Sequence, residues 1–592
     1  DGNRFFGNVN FTYKINDSFS ASYQGGGDYR LETIKSYGAI VNYEPGSPQA
    51  LAATIPVVGG VTESTNENTE FDQNLNLNYN TKINDDFSIN ALLGYNTNER
   101  KSSFLQASIT NLDIPNFYEL SNSSLKPVVA QGNTLRRSEA VYGSLEASYK
   151  NILFMTLTGR NEWTSTLPQG NNSYFYPSVN LSGIVLDTPE YFLKLRAGYA
   201  KIATDTGAYQ TESGLVQGTA GLGFGTITLP IGGVNGYEFA GNLGNASLKP
   251  EIVDEIEVGF ETALFSKRVN LDVSLYDKKT TGVLFSRPLP PSTGYISQTA
   301  NILDLENKGV EIALNIAVIQ GENFKWDFAT TFTKNLSEVT NIEGGVDKLL
   351  LASNYGVTFN AVKGQPLGDF QNFVPRKNAD GQYIVNAGTG YYEVTADEQS
   401  IGNAQRDFIM GFKNKFTYKN LVLAFGIDWK EGGEMYSYTK RLSGFTGNGI
   451  ETTYNDRNTF VIPNSVNENT DASGNITYSE NTTAVPFESI TDFYNTSNNA
   501  AIENTHVIDK TFVRLRDISL TYNVPSDFSK RLGLVNAAFS IYGKNLALWT
   551  PDGNAYIDPE LSTFGSGLLS EQGEFGTNPS QLSYGASLKL TF

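Results

Sequence analysis

The chain closes with Leu582-Ser583-Tyr584-Gly585-Ala586-Ser587-Leu588-Lys589-Leu590-Thr591-Phe592. In an extended strand successive side chains point to opposite faces. Leu582, Tyr584, Ala586, Leu588, Leu590 and Phe592 therefore share an apolar face, and Ser583, Gly585, Ser587, Lys589 and Thr591 a polar one. The same period of two recurs upstream, whereas helical periodicity is hard to find. Val9, Phe11 and Tyr13 alternate with Asn8, Asn10 and Thr12, and Phe87, Ile89, Ala91, Leu93 and Tyr95 with Ser88, Asn90, Leu92 and Gly94. Leu421, Leu423, Phe425, Ile427 and Trp429 repeat it, as do Val310, Ile312, Leu314 and Ile316.

The segment Glu251–Leu264 decides what the two faces meet. Ile256, Val258, Phe260, Thr262 and Leu264 alternate with Glu255, Glu257, Gly259, Glu261 and Ala263. In the middle of a soluble sandwich these glutamates would be buried without evident partners. In a wide barrel they point into a wet lumen while the apolar face meets hydrocarbon, which is the least costly arrangement.

The connections support the barrel. Short turns are expected at 15–17, 83–86, 150–151, 187–189, 266–267, 320–322, 419–420 and 525–527. Between them lie long polar connections near 26–69, 99–136, 204–250, 283–304, 335–404, 433–508 and 546–580, and a short one near 164–172. Short turns on one side and long loops on the other are the pattern of an outer-membrane barrel. Counting gives about 17 strands. Single-chain bacterial barrels have an even number and start from the periplasm. The odd count predicts further strands before Asp1, so that the barrel is incomplete within residues 1–592.

Composition agrees. The 592 residues contain 18% charged and 12% aromatic residues, too many aromatics for a disordered chain. No run approaches the roughly 18 apolar residues of a membrane helix. A mean hydropathy of -0.29 fits a barrel with a polar lumen as well as it fits a soluble protein. The net charge of -19 argues against a nucleic-acid partner, because phosphate neutralisation needs clustered Lys and Arg. Cys is absent, as suits a chain that crosses an oxidising compartment without disulfides.

Particular strings resemble the SusC/RagA-like TonB-dependent transporters of the Bacteroidetes outer membrane. Phe512-Val513-Arg514-Leu515-Arg516-Asp517 continuing to Pro525 is similar to that family's penultimate hairpin. Tyr542-Gly543-Lys544-Asn545-Leu546, Trp549 and Tyr556-Ile557-Asp558-Pro559-Glu560 resemble its last long loop. Ser247-Leu248-Lys249-Pro250-Glu251, Asn307-Lys308-Gly309-Val310-Glu311, Tyr176-Pro177-Ser178-Val179 and Gly364-Gln365-Pro366-Leu367-Gly368 match motifs of its middle barrel. The resemblance implies an all-β, transmembrane antiparallel β-barrel of 22 strands with an N-terminal plug. Residues 1–592 would be its C-terminal portion, with the plug and the TonB-binding segment outside them. It further implies TonB-energised import of oligosaccharides or peptides, with a SusD-like surface lipoprotein as partner and outer-membrane lipid as surroundings. A passive porin-like or adhesive barrel is the alternative.

Nothing points to an enzyme. His506 is the only histidine, and without Cys no His/Cys metal site or thiol nucleophile can form. His506 is expected to be a solvated loop residue before a strand. Asp397-Glu398 and Asn378-Ala379-Asp380-Gly381 carry oxygen ligands for Ca²⁺ but lack the spacing of an EF-hand, so ordinary polar loop is the preferred reading and no cofactor is expected. Gln24-Gly25-Gly26-Gly27 has no helix after it and reads as a loop entry, not a phosphate cradle. Binding is the better candidate. Trp163, Tyr174, Tyr209, Tyr355, Trp549 and Tyr556 are aromatics suited to stacking on cargo, although girdles at the membrane interface use the same residues. Trp326 and Trp429 lie on apolar faces and read as girdle. Arg160 and Glu162 either line the lumen mouth beside Trp163 or form a structural ion pair.

Overall fold

The computed structural model describes all residues except 48–49, 51–56, 223–224, 230, 486–489, 496–498, 555–556 and 566. Among the described residues the largest sheet holds 18 strands, and 17 of them are nine residues or longer. In chain order these are β1 Gly2–Lys14, β2 Phe19–Val41, β3 Val57–Lys82, β4 Phe87–Thr110, β5 Val128–Tyr149, β6 Leu153–Thr164, β7 Ser173–Asp187, β8 Phe192–Thr204 and β9 Glu251–Leu264. They continue as β10 Val269–Pro288, β11 Ser297–Gln320, β12 Phe324–Ile342, β13 Phe408–Tyr418, β14 Leu421–Glu431, β15 Phe512–Asn523, β16 Asn536–Trp549 and β17 Ser583–Thr591. The chain divides into one unit of residues 1–182, 198–254 and 282–301, and another of 183–197, 255–281 and 302–592.

In the first unit, β1 to β6 pair antiparallel in sequence order. Two near-identical strings make two of its short turns, Lys14-Ile15-Asn16-Asp17-Ser18-Phe19-Ser20 and Lys82-Ile83-Asn84-Asp85-Asp86-Phe87-Ser88. In each the Asn Oδ1 accepts two backbone N–H groups, from Ser18 and Phe19 at 2.9 Å each and from Asp86 and Phe87 at 2.9 and 2.8 Å. An Asn side chain mimicking the backbone this way is a standard means of reversing a chain. The third turn uses Lys150 and Asn151, both at positive φ, as a two-residue hairpin of matching twist requires.

In the second unit, β11 to β17 continue the antiparallel order. One face carries exposed apolar side chains, with Ile256 at 59%, Val258 at 46% and Leu588 at 65%. The polar face of β8 to β10 carries a network instead. Arg196 donates to Asp272 at 2.7 and 3.0 Å, to Ser274 at 2.6 Å and to Glu257 at 3.3 Å. Glu257 is therefore paired on a polar face, as the alternation of Glu251–Leu264 requires.

Several long connections turn out shorter than expected. Residues 26–41 and 57–69 are strand, not loop, as are 99–110 and 128–136. Apolar alternation marks only the part of a strand that meets hydrocarbon. Beyond it a string such as Glu63-Ser64-Thr65-Asn66-Glu67 keeps the backbone ladder without the pattern. The remaining connections in the second unit fold on their own. Residues 348–354, 357–362, 369–372 and 399–403 form a four-stranded sheet around Phe359 and Phe370, both at most 1% exposed. Val385, Ile462, Val485, Phe493, Tyr494 and Ile502 form a second dry cluster. Among the described residues no helix is long and apolar enough to cross a membrane, which says nothing about crossing by strands.

Candidate functional site

The family-like strings prove to be anchors. In the first unit Leu248 is fully buried against Leu167 and Tyr174, and the Lys249 backbone exchanges hydrogen bonds with the Asn301 side chain at 3.0 and 2.9 Å. In the second, Tyr276 lies across Gly309, where a Cβ would stand 2.3 Å from the ring and would force the ring to move. Gly364 N–H donates to Val339 O at 2.8 Å, and Val339 N–H to Gln365 O at 2.9 Å.

Arg514 and Arg516 lie two residues apart on β15 and so share a face. Asp558 and Glu560, from the last long loop, meet them. Arg514 pairs with Asp558 and, at 3.2 Å, with Glu560; Arg516 reaches Glu560 at 2.9 Å and Asp428 at 2.6 Å. Lys430 completes the set at 2.7 Å from Glu560. Burial raises the Glu560 carboxyl, but hydrogen bonds from Arg516 and Lys430 outweigh it and hold the group down at about 2. A depressed carboxyl stabilises above its ordinary value of 4.5 and stops doing so as pH falls through the folded value. Protection of the 557–565 segment from an acid protease should therefore persist down to about pH 4.5 and fail between there and about pH 2. Loss of protection above pH 6 would contradict this anchoring.

Beside the network lies a cavity of about 570 Å³, lined among others by Asn307, Asn335, Gln405, Arg406, Lys430, Lys510, Glu560 and Glu571. Lys510 is almost wholly buried and paired with Glu571. Burial pulls both Lys510 and Arg406 below their ordinary values. Arg406 donates through Nη1 to Lys510 O at 2.9 Å and stacks 5.5 Å from the Phe512 ring centroid.

A clamp gathers the loops of the second unit. Residues 434–437 pair with 507–509 and with 573–574. The fully buried Glu574 accepts from Ser437 Oγ and Thr439 N at 2.8 Å and from Thr439 Oγ1 at 2.9 Å. Gly573 has φ 146°, and a Cβ there would stand 2.0 Å from Tyr436 O. Gly573→Ala should loosen the clamp by about 1–3 kcal/mol, read as faster limited proteolysis of residues 434–447 with the strands intact. His506 belongs to this clamp and is not solvated. It is 1% exposed, with Nδ1 at 3.1 Å from Glu503, a carboxylate that also accepts from Tyr436 and from Arg441 Nε at 3.2 Å.

Arg160 and Glu162 form an ion pair at 3.0 Å, braced by Tyr176 at 2.9 Å and Asn96 at 3.1 Å. Arg160 and Tyr176 also border a groove of about 510 Å³ in the first unit. Trp163 is on the opposite face, 41% exposed, and Tyr174 is buried. Tyr209 is 62% exposed at positive φ. Tyr355, in the second unit, sits under Arg441 at 3.8 Å and stacks near-parallel on Tyr438 and Phe575. Trp549 is 56% exposed at the end of β16. Tyr556 lies outside the described residues. Asn378 is an Asx turn, accepting from Asp380 N and Gln382 N, and Glu398 pairs with Lys348 at 2.8 Å. Sequence reasoning did not single out Arg406, Lys430, Lys510 or the Arg514/Arg516 pairing. The matched i, i+2 charges of Arg514/Arg516 and Asp558/Glu560 were the available signal.

An antiparallel sheet of this size, apolar on one face and ion-paired on the other, defines the chain as a membrane-crossing β protein. Comparison gives the family. Residues 1–428 match the family described as TonB dependent receptor-like, beta-barrel, and the chain belongs to it, which places it in the outer membrane. TonB-dependent receptor P26 of Formosa agariphila is 26% identical over all of this chain and 59% of its own length. TonB-dependent receptor SusC of Bacteroides thetaiotaomicron is 27% identical over 31% of this chain and 20% of its own. The structure of the RagAB peptide transporter superposes over the whole chain, covering 62% of its own chain, with a TM-score of 0.76 at 16% identity, a likeness of fold. The chain thus spans about 59% of the length of a relative such as P26.

Proposed function

We propose that this chain is the larger part of the barrel of an active importer, energised through TonB by a segment outside these 592 residues and gated by a plug. Its cargo is an oligosaccharide or a peptide, and a SusD-like surface lipoprotein works with it. The match of residues 1–428 to the TonB-dependent barrel family carries the reading. The self-folded loops and the clamp around Glu574 support it, since they give the outer end a fixed surface on which cargo and a partner can be received. Tyr209 and Tyr355, with Arg160, Glu162, Trp163, Trp549 and Tyr556, are proposed contacts for cargo.

Uptake tests this. Cells lacking the full-length gene should lose growth on one class of oligomer, and the intact gene should restore it. A version without the TonB-binding segment should not. Restoration by that shortened version would make the protein a passive barrel.

A further inference from the structure

One cation of the cavity beside β12 to β15 has no direct ion pair. Of its three cationic lining residues, Lys430 is neutralised by Glu560 at 2.7 Å and Lys510 by Glu571. Among the described residues Arg406 has no carboxylate within ion-pair distance, and its hydrogen bond goes to a backbone carbonyl. Glu571, Glu560 and Asp509 act on it only through space, so this half-buried guanidinium retains donors in a fixed planar fork that no carboxylate occupies. That fork matches a carboxylate bidentately, which an ammonium cannot do. The cavity of about 570 Å³ is the size of a site for a small organic ligand, larger than a single ion needs. Asn307 and Ser337 add polar groups to the lining. Elsewhere the stacked Tyr355, Tyr438 and Phe575 spend their faces on one another and on Arg441, and the groove at Arg160 holds a guanidinium already paired with Glu162.

We infer that this cavity receives a carboxylate-bearing end of the cargo, with Arg406 as its specificity-determining contact. The inference rests on the import reading and narrows it to acidic cargo. The carboxylate has two sources, the C-terminus of a peptide or a uronate at the end of an oligosaccharide, and the same contact serves both.

The test uses the full-length transporter in detergent and matched ligand pairs in calorimetry. One pair is an oligopeptide with a free C-terminus and its C-terminal amide; the other is a uronate-terminated oligosaccharide and its neutral counterpart. In one pair the carboxylate form should bind about tenfold or more tightly than its neutral twin, as a charge-assisted hydrogen bond provides, and that pair identifies the source. R406Q should erase the difference, and R406K should keep part of it. Equal affinities within both pairs, or a difference that survives R406Q, overturns the inference. If R406Q does not assemble, an R406K protein that retains the whole difference overturns it as well. Uptake by wild-type cells separates the two readings: import with no carboxylate preference within either pair defeats this inference alone, and a wild-type protein that imports neither class defeats both.

Discussion

Val258→Arg should destabilise the protein in a phospholipid bilayer by about 2–4 kcal/mol, the cost of a guanidinium on the lipid face near mid-membrane. Val258 sits near the middle of β9 with 46% of its surface exposed, on the face opposite Glu257. The neighbouring Glu257→Gln should cost under about 1 kcal/mol, because Glu257 shares Arg196 with Asp272 in a partly exposed network. Denaturant unfolding of the full-length protein in liposomes reads both. Equal costs for the two substitutions would mean that the faces have been assigned wrongly.

The second large effect is expected at Arg514. Its side chain is 4% exposed against 5% for Asp558, and it also touches Glu560. Removing one partner of a buried ion pair leaves the other charge uncompensated and costs about 3–5 kcal/mol. Arg514→Ala should therefore free the last long loop, whereas Arg514→Ala with Asp558→Ala should recover part of the loss. The readout is protease cleavage within residues 557–565 in folded, membrane-inserted protein. Cleavage no faster than in the wild type would show that the loop is held elsewhere.

Much of this fold is written as alternation. The strand from Ser583 to Thr591, the strand carrying Glu257, and the turns at Asn16, Asn84 and Lys150-Asn151 are read directly from residue type and period. What escapes is strand without apolar alternation. Residues 57–69 and 128–136 are ladder without that pattern, since their pairing rests on the backbone and not on a continuous apolar face. The small sheets between β12 and β13 escape for the opposite reason. Their order comes from local cores such as Phe359 on Phe370, and a polar composition surrounding a few apolar residues reads as loop. His506 looked solvated because a lone histidine in a polar stretch carries no mark of Glu503, three residues earlier, turning back to meet it.

The candidate site was less legible than the fold. Arg160 and Glu162 were visible as a pair, but their bracing by Asn96 comes from 64 residues away in sequence. Arg406 has no local signature at all. Its importance comes from what surrounds it, two lysines already neutralised and a cavity with space for a further anion.

The central claim is that one face of these strands meets lipid and the other meets water inside. The 592 residues contain no Cys, so single cysteines at positions 258 and 257 can be spin-labelled without background from this region once any elsewhere in the full-length protein are replaced. In liposomes the label at 258 should be relaxed by oxygen and shielded from a water-soluble nickel chelate, and the label at 257 should show the reverse. A label at 258 that the chelate reaches as readily as the one at 257 would contradict the account.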